Sequence, residues 1–124
     1  MRRALHLDVS VCAAAGLFYL INRLWLQHVT SGPVGWFLAC YANDIFAGAA
    51  MVAWLNLLLG LGGLGRMRAW TKTAFYLLLC GLVWEYAAPL WKPGAIFDPW
   101  DFAAYQAGGV AYQLLDNYRR RFFP

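Results

Sequence analysis

The apolar residues of this chain fall into four blocks that are separated by short stretches rich in polar residues, glycine and proline. The blocks cover approximately residues 9–27, 34–59, 69–90 and 100–118. The fourth is the most polar, and its apolar run, from Trp100 to Leu115, is the shortest. Each is close to the roughly 20 residues that cross about 30 Å of hydrocarbon as a helix. We therefore predict an all-α polytopic membrane protein, a bundle of four transmembrane helices that forms a single integral membrane domain over residues 1–124.

Composition supports this prediction. Of the 124 residues, 62% are hydrophobic and 13% are charged, whereas a soluble domain is about half apolar and about a quarter charged. The first apolar run continues well past Ala13–Ala15, which favours an uncleaved helix over a signal peptide.

The basic residues predict the orientation of the helices. With four spans, the larger group of cations lies at one membrane face and comprises Arg2, Arg3, Arg66, Arg68, Lys72, Arg119, Arg120 and Arg121. Only Arg23 and Lys92 lie at the other face. The positive-inside rule then puts both termini in the cytoplasm. The net charge of +4 is explained by topology, and because no basic groove for phosphates is evident we expect no nucleic-acid partner.

Acidic and amide side chains are unevenly distributed along these helices. Asp8 and Asp116 are expected near the inner surface, where they cost little, so the inner half resembles a plain anchor. Asp44 comes about ten residues into the second helix, roughly mid-membrane at about 1.5 Å per residue. The remaining polar groups of the outer half are Asn22, Arg23, Asn43, Glu85, Asp98 and Asp101.

These outer groups have both structural and functional interpretations. Asn43 and Asp44 suit a hydrogen-bonding brace, and Arg23 is expected to pair with Asp44 or Glu85. Asp98 and Pro99 suit the start of a helix. Asp101, Tyr105, Gly108 and Tyr112 share one face of the fourth helix, where Gly108 and Gly109 would let another helix approach closely. Carboxylates that gather in this way also indicate a binding site.

Other motifs carry no chemistry in this context. Gly60-x-Gly62-x-x-Gly65 matches a dinucleotide fingerprint, but it follows a membrane helix and not a strand, so it predicts a turn. His6 and His28 do not have zinc-ligand spacing, and Cys12, Cys40 and Cys80 lie inside apolar blocks. We predict no cofactor.

The last third of the chain resembles the VanZ-like family of small bacterial membrane proteins. The matching segments are Trp84-Glu85-Tyr86, Asp98-Pro99-Trp100-Asp101 and Tyr105-Gln106-Ala107-Gly108-Gly109. The basic residue of that family in this region has no obvious counterpart here. The resemblance implies a multi-pass protein of the bacterial cytoplasmic (inner) membrane, with relatives linked to glycopeptide antibiotic resistance.

Three functions are compatible with these features, and a fourth alternative is a structural partner subunit in which the polar cluster holds the helices together. The first is an outward-facing acidic site that binds a polar or cationic group, such as an envelope lipid headgroup, an amphipathic antibiotic or an ion. Its residues would be Asn22, Arg23, Asn43, Asp44, Glu85, Asp98, Asp101 and Tyr105. The second is a small ion-coupled transporter, which would need a homo-oligomer to enclose a path. The third is an intramembrane metal-dependent lipid enzyme. We expect the lipid bilayer to be a partner of the protein. We also expect a ligand-binding function in preference to an enzymatic one.

Overall fold

The computed structural model of the chain describes residues 2–91 and 99–123, which are almost entirely helical and contain no strand. Three helices cover Arg2–Val29 (α1), Gly32–Leu61 (α2) and Trp70–Trp91 (α3), and a fourth covers Pro99–Phe122 (α4). The predicted all-α class is thus confirmed for this part of the chain. α1 begins before the first apolar block and α4 continues past the last, because the flanking charged residues are themselves good helix formers.

The exterior of the helices is suited to lipid. α1, α2 and α3 are each long and apolar enough to cross a membrane, whereas α4 is long but more polar. Large apolar side chains such as Leu24, Val83 and Leu90 are mostly exposed. In water such a surface would be unfavourable, so the chain has the character of an integral membrane protein.

Helix α4 packs most closely against α2, and glycines make this contact. A Cβ atom on Gly108 would collide with the carbonyl oxygen of Ile45 and would lie 2.7 Å from the nitrogen of Ala49. A Cβ atom on Gly48 would collide with the carbonyl oxygen of Tyr105. The two backbones therefore touch directly, and the close approach predicted at Gly108 is confirmed.

The interior of the bundle is small and partly polar. Val52, Ala53, Leu77 and Tyr112 form its apolar centre. Asp8, Asn22, Asn56, Gln113 and Asp116 are completely buried beside or beyond it. Since buried polar groups need hydrogen-bonding partners, these residues belong to hydrogen-bonded clusters inside the bundle.

The turn after α2 ends that helix and positions the connection to α3. The amide of Leu64 donates to the carbonyl of Leu59 at 2.8 Å, and the amide of Gly63 donates to the carbonyl of Gly60 at 3.2 Å. Gly63 has a φ of 73°, the left-handed conformation that such a helix end requires. The glycine-rich segment is therefore a helix-terminating turn, as its sequence context predicted.

Candidate functional site

Three of the predicted site carboxylates belong to one layer of the bundle. Asp44, Glu85 and Asp101 are contributed by α2, α3 and α4, and all three act electrostatically on the buried Tyr105. Each is half-buried. The structure therefore brings together four of the residues that the sequence singled out.

Helical spacing explains why these carboxylates share a layer. Asp44 lies one turn before Gly48, whose backbone meets Tyr105, and Asp101 lies one turn before Tyr105 itself. Glu85 lies one turn after Gly81, which packs against the ring of Phe102. Residues one turn apart share a helix face, so each carboxylate lies on the face that meets its neighbour.

A brace of two asparagines joins α1 to α2 at the same end of the bundle. Asn22 is completely buried, and its Nδ2 donates to Asn43 Oδ1 at 3.0 Å and to the carbonyl oxygen of Leu38 at 2.8 Å. Asn22–Leu26 and Leu38–Ala42 are both π-helical turns. A π-turn shifts the backbone hydrogen-bond pattern. The carbonyl that Asn22 binds belongs to Leu38, the first residue of the second π-helical turn. The hydrogen-bonding interpretation of Asn43 is thus supported.

Arg23 is a predicted member that is not brought into this layer. Arg23 is exposed, and the ion pairs found within residues 2–91 and 99–123 involve Arg66, Arg119 and Arg120. The predicted pairing of Arg23 with Asp44 or Glu85 is not seen in this part of the chain. Asp98 lies outside the described residues, so its predicted role as a helix cap stays a prediction.

An aromatic cavity of about 450 Å³ adjoins the carboxylate layer between α2 and α4. It is lined by Trp36, Phe37, Tyr41, Ile45, Trp100 and Ala104. Three of these residues are direct chain neighbours of Asp44, Asp101 and Tyr105. The cavity therefore has an apolar, aromatic wall, and Asp44 and Asp101 are chain neighbours of residues in that wall and do not line it themselves.

Metal binding receives no geometric support in the described ranges. Within residues 2–91 and 99–123, no group of three or more His, Cys, Asp or Glu side chains is arranged to hold a metal ion. Asp44, Glu85 and Asp101 thus act electrostatically on Tyr105, but they are not arranged as the ligands of a metal ion.

A second polar cluster lies at the opposite end of the bundle, which we call the arginine-rich end because Arg66, Arg119 and Arg120 meet there. Arg66 binds Asp8 through two hydrogen bonds of 2.7 and 3.1 Å. The Tyr112 hydroxyl donates to Asp8 at 2.5 Å and accepts from Arg66 at 2.6 Å. Asp116 accepts two hydrogen bonds from Arg119 at 3.1 and 2.8 Å.

Amide side chains hold the connection between α2 and α3 against this cluster. Asn56 Oδ1 accepts from the amide of Met67 at 2.7 Å, and Asn56 Nδ2 donates to the Tyr112 hydroxyl at 3.1 Å. Gln113 donates to the carbonyl of Met67 at 3.1 Å and to the Thr73 hydroxyl at 2.7 Å. The network therefore links all four helices to the segment that carries Arg66.

The expectation that the inner half is a plain anchor is wrong. Asp8 and Asp116 were expected to lie near the surface at little cost, but both are completely buried. A buried carboxylate is tolerated only when it is paired and hydrogen-bonded, and Arg66 provides this pairing from a short connection. One feature of the sequence indicated that Asp116 is buried: it continues the helical face of Asp101, Tyr105, Gly108 and Tyr112.

Comparisons of the chain with protein-family models, with curated proteins and with solved structures found no match.

Proposed function

We propose that this chain spans the membrane four times, with the arginine-rich end in the cytoplasm and the carboxylate layer toward the outside. The 24 residues of α4 extend about 36 Å at about 1.5 Å per residue, enough to cross the hydrocarbon core. Its lower apolarity comes partly from Arg119–Arg121 in its last turn and partly from Gln113 and Asp116, which are buried against the other helices and do not face lipid.

We further propose that the outward half binds an amphipathic organic cation. The observation that carries this proposal is the adjacency of the aromatic cavity to the carboxylates that surround Tyr105. Its volume of about 450 Å³ is in the range of small-molecule sites, about 300–1,000 Å³.

The two parts of the site suit the two parts of such a ligand. Aromatic faces such as those of Trp36 and Trp100 attract an ammonium group and also cover an apolar chain. Carboxylates in a low-dielectric setting add a longer-range attraction for positive charge. A cationic lipid headgroup or an amphipathic antibiotic would meet both requirements.

A titration of the purified protein in nanodiscs with dodecyltrimethylammonium, followed by tryptophan fluorescence, tests this function. We expect saturable binding that dodecyl sulfate does not reproduce. Asp101→Asn should weaken binding by about tenfold, because an attraction of roughly 1.4 kcal/mol corresponds to that factor. Trp36→Leu should weaken binding in the same direction.

Trp70→Leu is the matched control, since Trp70 begins α3 at the arginine-rich end and does not line the aromatic cavity. Equal affinity of the wild type, Asp101→Asn and Trp36→Leu would refute the proposal. Counterflow of the labelled cation in proteoliposomes would instead support the transporter alternative, which requires an oligomer, because a binding protein produces no flux.

The resemblance of the last third to VanZ-like proteins is consistent with this proposal. On the basis of this resemblance, we propose the bacterial cytoplasmic membrane as the location and the cell envelope as the setting of its role. Its support is limited to the segments around Glu85, Asp101 and Gly108, and fractionation of the native host with an antibody to the chain would test the location.

A further inference from the structure

The arginine-rich end contains a cavity of about 480 Å³ whose wall combines four arginines with apolar residues. Arg66, Arg68, Arg119 and Arg120 contribute to this wall, and Leu5 and Gly60 contribute an apolar part of it. A second cavity of about 450 Å³ shares Arg66 and Arg68 and adds Lys72. The basic surface therefore continues across the connection between α2 and α3.

Positive charge exceeds negative charge around this cavity. The ion pairs in the described part of the chain join Arg66 to Asp8, and Arg66, Arg119 and Arg120 to Asp116. Two carboxylates thus face four guanidinium groups that line the cavity. An uncompensated excess of this size favours an anion.

Arg66 provides an independent sign of a ligand. Its side chain is 10% exposed, and its Nη atoms are used by Asp8 and Tyr112. Its Nε atom is buried and has no hydrogen-bond partner in the described structure. Arg120 Nε also makes no hydrogen bond there, but it lies 3.6 Å from Asp116 Oδ2 in an ion pair. Buried donors are nearly always satisfied in proteins, so Arg66 Nε calls for an acceptor.

Arg66 is also held in its charged form. Burial by itself would lower the pKa of the Arg66 guanidinium, but its hydrogen bond to Asp8 and the negative charges of Asp8 and Asp116 outweigh burial and raise the pKa. The cavity therefore keeps this positive charge at neutral pH.

We propose that this cavity binds a phosphate group that carries uncompensated negative charge, the chemistry shared by anionic lipid headgroups and soluble phosphoesters. A planar guanidinium donates two parallel hydrogen bonds to phosphate oxygens. Basic pockets between helices near the cytoplasmic membrane surface are suited to anionic headgroups, and Leu5 and Leu64 offer apolar contacts beside the arginines.

The test compares two double variants that remove the same total charge. Arg68→Gln with Arg120→Gln removes two arginines of the cavity, whereas Arg2→Gln with Arg121→Gln removes two exposed arginines that do not line it. Arg66 is left unchanged because its loss would leave Asp8 buried without its cation. Circular dichroism establishes that each variant is folded.

Binding is measured by native mass spectrometry and by thermal stabilisation in detergent. The probes are phosphatidylglycerol, phosphatidylcholine and inorganic phosphate, with chloride at matched ionic strength. We expect phosphatidylglycerol to bind more tightly than phosphatidylcholine. The cavity variant should weaken it by about tenfold more than the control variant does, the factor for one lost charge-assisted hydrogen bond.

The response to inorganic phosphate identifies the source of the ligand. Stabilisation by phosphate alone, lost in the cavity variant, supports a soluble phosphoester, while a response to phosphatidylglycerol alone supports a lipid. Equal loss in both double variants, or no preference for anionic phosphate in the wild type, overturns the proposal. If the double variant does not fold, Arg68→Gln alone decides, because Arg68 is exposed and belongs to none of the described ion pairs.

Discussion

Replacing Tyr112 with phenylalanine is the sharpest test of the buried network at the arginine-rich end. The ring is completely buried and phenylalanine would fill the same space, so the change removes only the hydroxyl. That hydroxyl donates to Asp8 at 2.5 Å and accepts from Arg66 at 2.6 Å and from Asn56 at 3.1 Å. One donor and two lone pairs are all in use.

The expected loss of stability depends on the hydrogen bonds that each partner of the hydroxyl keeps in the variant. Hydrogen bonds to charged groups contribute about 1.5–3 kcal/mol and neutral ones about 1 kcal/mol. Asp8 and Arg66 keep two hydrogen bonds to each other, whereas Asn56 Nδ2 keeps only the carbonyl of Met67 at 3.5 Å. We therefore expect Tyr112→Phe to lower the free energy of unfolding by about 2–4 kcal/mol.

Equilibrium unfolding in mixed detergent–dodecyl sulfate micelles, followed by circular dichroism, measures this change. Tyr118→Phe is the matched control on the same helix, because Tyr118 is exposed and its variant should change stability by less than about 0.5 kcal/mol. In the double variant with Asn56→Ala, the two losses should fall short of additivity by at least about 0.5 kcal/mol, since the residues share a hydrogen bond. Tyr112→Phe within 0.5 kcal/mol of wild type (about the size of a surface change) would refute the network as a source of stability.

Three further predictions concern packing, the asparagine brace and topology. Gly108→Ala should destabilise the protein by about 2–3 kcal/mol, because the added Cβ meets the backbone of Ile45 and Ala49 and cannot be relieved by a rotamer change. Gly16→Ala is the control: nothing lies within 4 Å of its added Cβ atom, so it should be neutral or stabilising by up to about 1 kcal/mol. If both variants lost the same stability in the unfolding assay above, the α2–α4 contact would be contradicted. Asn22→Ala should cost about 1 kcal/mol through loss of its bonds to Asn43 and the Leu38 carbonyl, and an unchanged unfolding midpoint would contradict the brace. A green fluorescent protein fused to the C-terminus should fluoresce in the cytoplasm if α4 spans the membrane, whereas activity of a periplasmic phosphatase fusion at the same position would show that it does not.

Much of the fold could be predicted because apolar length is a local property. The helix positions follow from apolar blocks and from the residues that interrupt them: Pro99 is the first residue of α4, and a glycine turn ends α2. The close approach at Gly108 was also predictable, since a glycine on the polar face of a membrane helix usually marks a contact. Periodicity alone placed Tyr105 and Tyr112 on one face.

The candidate site was predicted only in part because side-chain pairing depends on distant residues. Depth along the helices was enough to group Asp44, Glu85 and Asp101, since the depth of a residue follows from its position in the span. The partner of a carboxylate does not follow in this way. Arg23 was expected to pair within the outer group but is exposed, whereas Arg66 comes from a connection that had been treated only as a turn.

By itself, the sequence determined that the chain is α-helical, where its helices lie and that their surfaces suit lipid, because these properties depend on local apolarity and helical period. Only the tertiary structure decided that the arginine-rich end holds a network, because Asp8 and Arg66 are 58 positions apart and meet only when the turn after α2 folds back over α1. The same packing leaves Arg66 Nε buried without an acceptor. That atom and the aromatic cavity beside Asp44 and Asp101 are products of helix contacts, and no local pattern encodes them.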